Sequence, residues 1–294
     1  MDVSTPAPAP LAPADWLAPD WPAPPGVQAL CTTRAGGVSA APYDSLNLGS
    51  HVGDDPGAVR ANRARLQATL QKLAPGTRPV FLDQVHGDGV VHLEATTPDG
   101  VKADACTAAA PGVACTIMVA DCLPVLWAHR SGAVVAAAHA GWRGLAGTGG
   151  QGVLESVFQR FQALTQAGSA QEAIKLGAFS PSAAVAADTL VWLGPCIGPR
   201  AFEVGAEVRD AFCRDDPGAQ ACFVAQPQAP GKYLCNLAGL ARRRLRALGV
   251  THVYGNDGTD AWCTVTNASR FFSYRRDAAT LGSSGRLAAC IWRT

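Results

Sequence analysis

The 294-residue chain has little charge and few aromatic rings: Asp, Glu, Lys and Arg make up 16% of it, and Phe, Trp and Tyr 7%. Its formal net charge is +1, with no basic block and no acidic tail. Nucleic acids are held by clustered Lys and Arg, with aromatic platforms where the strand is single, so no nucleic-acid partner is expected. No stretch reaches 18 apolar residues without a polar break, which argues against a membrane partner. The opening MDVSTPAPAPLAPADWLAPDWPAPPGV lacks a positive start and an unbroken apolar core, so it does not read as a secretory leader, and a cytoplasmic location is expected. There is no CxxC pair among the ten cysteines, and a reducing compartment disfavours bridges. Most of them read as small buried apolar residues.

What is present is apolar. Hydrophobic residues reach 48%, enough for a sizeable core. Residues 1–25 read as a Pro/Ala-rich flexible lead, extended or weakly ordered, and 26–294 as a single domain. Residues 166–189 have little periodicity and read as a surface insertion or long loop. Strand-like segments include VQALCTTR, PVFLDQVH, GVACTIMVA, PVLWAHR, GAVVAAAHA, TLVWLGPCI and RLAACIW, and FFSYRRD also reads as extended. Helical periodicity marks AVRANRARLQATLQKLA, GGQGVLESVFQRFQAL, AEVRDAFCR and LAGLARRRLRALG. In the last of these, Leu237, Leu240 and Leu248 share an apolar side and Arg242, Arg243 and Arg246 read as solvated. Short turns between neighbouring strands argue for mixed pairing, hence an α+β fold.

Chemistry concentrates in residues 112–144, GVACTIMVADCLPVLWAHRSGAVVAAAHAGWRG. A hairpin turning at Arg130, Ser131 and Gly132 brings position 125 near 137 and Cys122 level with His139, at one end of the sheet. His129 falls at the opposite, turn end. The Cys122–His139 pair admits a nucleophile with its base, two ligands of a zinc ion, or a buried thiol beside a satisfied imidazole. Asp121 ends a very apolar strand and needs a partner there, so it is placed to orient a ligand or bind a substrate. His86, in FLDQVHGDG, is a third donor at a strand end. Two imidazoles and one thiolate match a catalytic zinc site with its fourth position open.

The motifs TTRAGGVSAAPYDSLNLGSHVGDD (32–55), DQVHG (83–87), ADCLPVL (120–126), AAHAGWRG (137–144), LGPCIGPRAFEVG (193–205) and RFFSYRRD (270–277) together span most of the chain. With them the sequence resembles the YfiH-like family, also called the laccase-domain or polyphenol oxidase family, whose members are read as purine nucleoside phosphorylases. The resemblance implies a layered αββα sandwich of mixed sheets over 26–294, with His86, Cys122 and His139 as metal ligands. It implies zinc rather than copper, since multicopper sites need many more than six histidines. The implied partners are a nucleoside (adenosine, inosine, methylthioadenosine) and phosphate, with adenosine deamination as a further activity and a monomer or small homo-oligomer as the assembly.

The other motif residues then acquire expected roles. Arg34, at a strand end beside a Gly pair, is expected to receive phosphate or a carboxylate. Asn47, His51 and Asp54 would line the same cleft. Arg143, four residues beyond His139, would either point at an anion on the metal or support the GWRG turn. Cys196 reads as turn geometry. Adjacent Arg275 and Arg276 would face opposite sides of a strand, so at most one reaches the cleft. The alternative to a phosphorylase is a cysteine hydrolase or amidase, with Cys122 as nucleophile and His139 as base, acting on cell-wall precursors.

Overall fold

Alternating side-chain direction along the strands decides how the layers stack. The computed structural model describes residues 15–176 and 182–294. In chain order the elements are β1 (Val27–Cys31), α1 (Pro56–Leu73), β2 (Arg78–Phe81), β3 (Val90–His92), β4 (Ala105–Ala108), β5 (Val113–Val119), β6 (Leu123–His129) and β7 (Val135–Ala140). Then come α2 (Trp142–Ala146), α3 (Val153–Leu176), α4 (Ser182–Ala187), β8 (Thr189–Leu193), β9 (Glu203–Gly205) and α5 (Ala206–Cys213). The chain closes with β10 (Phe223–Ala225), β11 (Lys232–Cys235), α6 (Leu237–Ala247), β12 (His252–Gly255), α7 (Tyr274–Leu281) and β13 (Leu287–Arg293).

A six-stranded sheet runs β12-β8-β6-β7-β4-β3, and a four-stranded sheet runs β1-β13-β5-β2. Both are mixed, since β12/β8, β3/β4 and β2/β5 pair parallel among antiparallel neighbours. The period of two sends Val125 and Trp127 of β6 to one face and Leu126 and Ala128 to the other. The first pair joins the core beneath α3 and α6, with Phe161 and Leu240. The second pair packs among Ile117, Leu287 and Ile291 of the four-stranded sheet. That sheet turns Leu30, Ala114 and Trp292 outward against Leu66 and Leu70 of α1. The layers are therefore α, β, β, α, as the resemblance implied. A small sheet, β10-β11-β9, flanks them.

Several expectations need correction. The segment read as a loop over 166–189 is largely helical, because α3 runs on to Leu176 and α4 occupies Ser182–Ala187; residues 177–181 lie outside the described residues. Residues 1–14 of the lead also lie outside them, but Leu17 exchanges backbone hydrogen bonds with Cys31 at 2.8 Å, so that part of the lead is tied to β1. YRRD is not extended but opens α7: Ser273 accepts the Arg276 N–H at 3.1 Å as an N-cap, and Gly282, at φ +76°, ends the helix. On α6, Arg242 is not solvated; it donates to the carbonyls of Val253 and Asn256 and closes the loop after β12.

Candidate metal and substrate site

The β6–β7 hairpin carries the site, with a register one residue away from expectation. Its loop has four residues, 130–133, closed by the His129 N–H donating to the Val134 carbonyl at 3.0 Å. Val125 consequently pairs with Ala138 and Leu123 with Ala140. Cys122 thus lies just past the ladder, beside Gly141 rather than level with His139. Gly141 is small because it must be: a Cβ there would stand 3.0 Å from Cys122 Sγ and 3.0 Å from His86 Cδ2. Gly144 is equally confined, since its Cβ would fall 2.5 Å from the Gly87 carbonyl. The two glycines of GWRG let α2 press onto the His86 turn. His129, at the far end of the hairpin, bonds Ser131 and takes no part.

His86 and Asp121 are the positive-φ residues other than glycine among the described residues, at φ 62° and 87°. Such backbone costs about 1–3 kcal/mol and concentrates at functional sites. One is a ligand candidate and the other precedes one. Ligand atoms of His86, Cys122 and His139 all lie within 4.8 Å of one another. Donors of a tetrahedral zinc shell stand roughly 3.5 Å apart from its bond lengths, so the three need only a small inward shift to close on an ion. The donor set of two imidazoles and a thiolate suits zinc, and three protein donors leave a position open.

Asp104, which the sequence reading passed over, organises this cluster. It is fully buried. Its Oδ1 accepts the His86 backbone N–H and His139 Nδ1–H, both at 2.8 Å. Its Oδ2 accepts the N–H groups of Gly87 at 2.7 Å and Val85 at 3.2 Å. With Nδ1 committed, His139 has Nε2 for a metal or for the thiol, the arrangement usual behind ligating histidines. The sequence did hold a signal: Asp104 is a lone acid in the apolar stretch ADACTAAA.

Burial alone would raise the Cys122 thiol and lower the His139 imidazole. Their mutual attraction overrides this, with help from His86 for the thiol and Asp104 for the imidazole. Cys122 is drawn down to about 6 and His139 up to about 9. Without metal the pair is therefore thiolate and imidazolium at neutral pH. Iodoacetamide at pH 7 should then alkylate Cys122 of metal-free protein well before Cys213, the other cysteine that is not buried, whose thiol desolvation raises. Peptide mapping checks this: the rate should fall off below pH 6 and be suppressed by zinc, and preferential labelling of Cys213 would contradict it.

These groups line a cavity of about 450 Å³, within the range of small-molecule sites. Met118, Ile197 and Phe202 give it an apolar wall. Asp121 lines it too, but its carboxylate is spent on structure: Oδ1 accepts the Thr264 hydroxyl at 2.5 Å and Oδ2 the Arg275 N–H at 2.6 Å. Asp121 therefore positions the start of α7 beside Cys122. His51 lines it, though apart from Arg34, and of the paired arginines Arg275 does so while Arg276 is bound to Asp277. Arg286, not singled out from sequence, also lines it.

Arg34, Asn47 and Arg143 are not among the lining residues. Arg34 is consumed by the Asp44 carboxylate and carbonyl and by the Ala268 carbonyl, and sits over the Phe272 ring. Asn47 is fully buried and binds the backbone of Gly49 and Arg286 as well as Asp54, so Asp54 too is a structural group. Arg143 is exposed and stacks on Trp142 at 4.4 Å. Cys196 is buried, with its thiol accepting from Asn256, as turn geometry required.

The family model described as multi-copper polyphenol oxidoreductase laccase matches residues 28–294. A Pseudomonas aeruginosa protein named purine nucleoside phosphorylase is 50% identical over 278 residues, covering 94% of this chain and 98% of its own length. An Escherichia coli protein named purine nucleoside phosphorylase YfiH is 46% identical over 276 residues, covering 94% and 98%. Among solved structures, a Neisseria meningitidis protein of family DUF152 superposes with a TM-score of 0.77 at 43% identity, covering 95% of this chain and 99% of that one. With that extent of match in both sequence and fold, the chain belongs to the YfiH-like, laccase-domain family.

Proposed function

We propose that this chain is a zinc-dependent purine nucleoside phosphorylase, acting on adenosine, inosine and methylthioadenosine, with adenosine deaminase activity at the same site. The observation that carries the reading is the placement of the His86–Cys122–His139 cluster in one cavity with an apolar wall and cationic side chains. Relatives named purine nucleoside phosphorylase support it. An oxygen of hydrogen phosphate attacks C1′ of the sugar as the bond from C1′ to the base nitrogen breaks, and the phosphate proton passes to the base. The products are the sugar 1-phosphate (ribose 1-phosphate from adenosine or inosine, methylthioribose 1-phosphate from methylthioadenosine) and free base. Met118, Ile197 and Phe202 offer the base a dry surface, which strengthens polar contacts elsewhere in the cavity. Asp104 holds His139 in one tautomer, and Asp121 holds α7 against the strand end that bears Cys122. His86, Cys122 and His139 would hold the zinc, which would supply Lewis-acid chemistry for phosphorolysis or deamination. Cytoplasmic location and a monomeric or small homo-oligomeric state remain part of the proposal; among the described residues no helix is long and apolar enough to cross a membrane.

Chromatography of adenosine and inosine reactions with and without phosphate tests this. Base release that requires phosphate is the expected result; release independent of phosphate, or none, would sink it. One observation favours a second reading. Asp104, His139 and Cys122 stand in the order orienter, base, nucleophile, as in a cysteine hydrolase acting on amide bonds such as those of cell-wall precursors. His86 is surplus to that chemistry. Copper-based phenol oxidation is served less well, since His92 and His129 bond Thr107 and Ser131 away from the cluster.

A further inference from the structure

One half-buried arginine of the cavity has charge to spare. Arg286 Nη1 donates to the carbonyls of Ser284 at 2.7 Å and Gly285 at 3.2 Å. Its Nε and Nη2 find no acceptor among the described residues, yet they are not sealed from solvent. Among the described residues no carboxylate pairs with it: Asp121, the nearby acid, is taken by Thr264 and Arg275. Arg276, by contrast, uses Nε, Nη1 and Nη2 on protein acceptors; Arg275 also has only Nη1 engaged, on the Glu203 carbonyl, but it is exposed, whereas Arg286 is half-buried.

The segment 47–49 is built around this residue. Asn47 Oδ1 accepts the Arg286 N–H at 2.9 Å, and the Leu48 N–H donates back to the Arg286 carbonyl at 3.2 Å. Gly49 leaves room for the stem, since a Cβ there would lie 2.7 Å from Arg286 Cγ. His51, two residues beyond this segment, lines the same cavity. Desolvation, then Arg286 and Arg63, keep its pKa below the usual histidine value.

We propose that Arg286 is the receptor for the anionic co-substrate, gripping two oxygens of a phosphate-class anion through Nε and Nη2. This rests on the phosphorylase reading and moves the anion from Arg34 and Arg143, where the sequence placed it. A planar guanidinium with one edge fixed on carbonyls and the other open matches two oxygens of a tetrahedral anion.

The test uses metal-loaded full-length protein, with rates measured against phosphate and against nucleoside. Arg286→Gln should raise the KM for phosphate by about 10- to 100-fold, the worth of charge-assisted hydrogen bonds, with nucleoside KM and metal content within about twofold. Arg286→Lys should recover part of this. Gly49→Ala, which displaces the arginine without removing charge, should shift phosphate KM the same way and less, and it keeps the test open if the glutamine variant fails to fold. An unchanged phosphate KM, or a loss confined to nucleoside, overturns the proposal while leaving the phosphorylase reading intact. Should wild type show no phosphate-dependent turnover, that reading falls, and calorimetry with inorganic phosphate alone decides the rest. Binding to wild type and not to Arg286→Gln supports an anion site; equal or absent binding overturns it.

Discussion

Serine at position 122 should leave the fold standing and empty the metal site. The substitution preserves size, but an alcohol does not ionise near neutral pH as the Cys122 thiol does, drawn to about 6 by its two histidines. Only the deprotonated sulfur is a good zinc ligand. Two imidazoles, one of them on the exposed His86 turn, then remain to hold the ion. Metal content should fall from about one per chain to a small fraction of that. A Lewis-acid contribution of several kcal/mol corresponds to a loss of roughly a thousandfold or more in phosphorolysis. Elemental analysis and base-release assays on one preparation give both numbers. Metal retained with activity lost would instead make Cys122 the attacking group, and the hydrolase reading would take over.

Asparagine at position 104 is the second large effect, and here geometry decides. The carboxylate receives four N–H groups, two on each oxygen. An amide is nearly the same shape but must turn its NH₂ toward two donors whichever way it is flipped. Each buried donor left unpaired costs about 1–3 kcal/mol. Melting should drop by about 5–10 °C, and the loosened His139 should weaken metal affinity roughly 10- to 100-fold. Calorimetry and competition with a zinc chelator read the two separately. The pH dependence follows as well. Burial pushes Asp104 upward, but hydrogen bonds from His139, Gly87 and His86 outweigh it and hold the carboxyl below its usual value. A folded value below the unfolded one stabilises the protein above the ordinary carboxylate range, and that stability is lost as pH falls through the depressed value. Metal-free wild type should therefore lose stability more steeply below about pH 4 than Asp104→Asn. Equal acid profiles would show that Asp104 is not the anchor described.

How much of this was readable before the structure depends on how local each signal is. The hairpin was legible because β6 and β7 adjoin and each carries a period of two; the register slipped because nothing in RSGA distinguishes a three- from a four-residue loop. His86 was legible as a donor in a Gly-containing turn, although β2 ends at Phe81 rather than at His86. Asp104 was missed because its value lies in four N–H groups from other segments, although a solitary acid among alanines is itself a sign of a buried partner. Arg34 misled for the opposite reason. A cation beside two glycines looks like an anion site, but Asp44 and Ala268 fold over it, and that closure has no local signature. The NLG stretch does not line the cavity itself; Asn47 and Gly49 act on it through Arg286, which lies at the far end of the chain and leaves no local signature. FFSYRRD reads as extended when taken alone, whereas the Ser273 cap and the Gly282 stop, which lies beyond that stretch, carry the helix signal.

The central claim is that His86, Cys122 and His139 jointly hold one metal ion. X-ray absorption at the zinc edge of protein purified without added metal, with the zinc-to-chain ratio measured alongside, tests it most directly. The account predicts about one zinc per chain, with one sulfur near 2.3 Å and two imidazole nitrogens near 2.0–2.1 Å in the first shell. A metal-free preparation that turns over at full rate, or a zinc shell without sulfur, would contradict it.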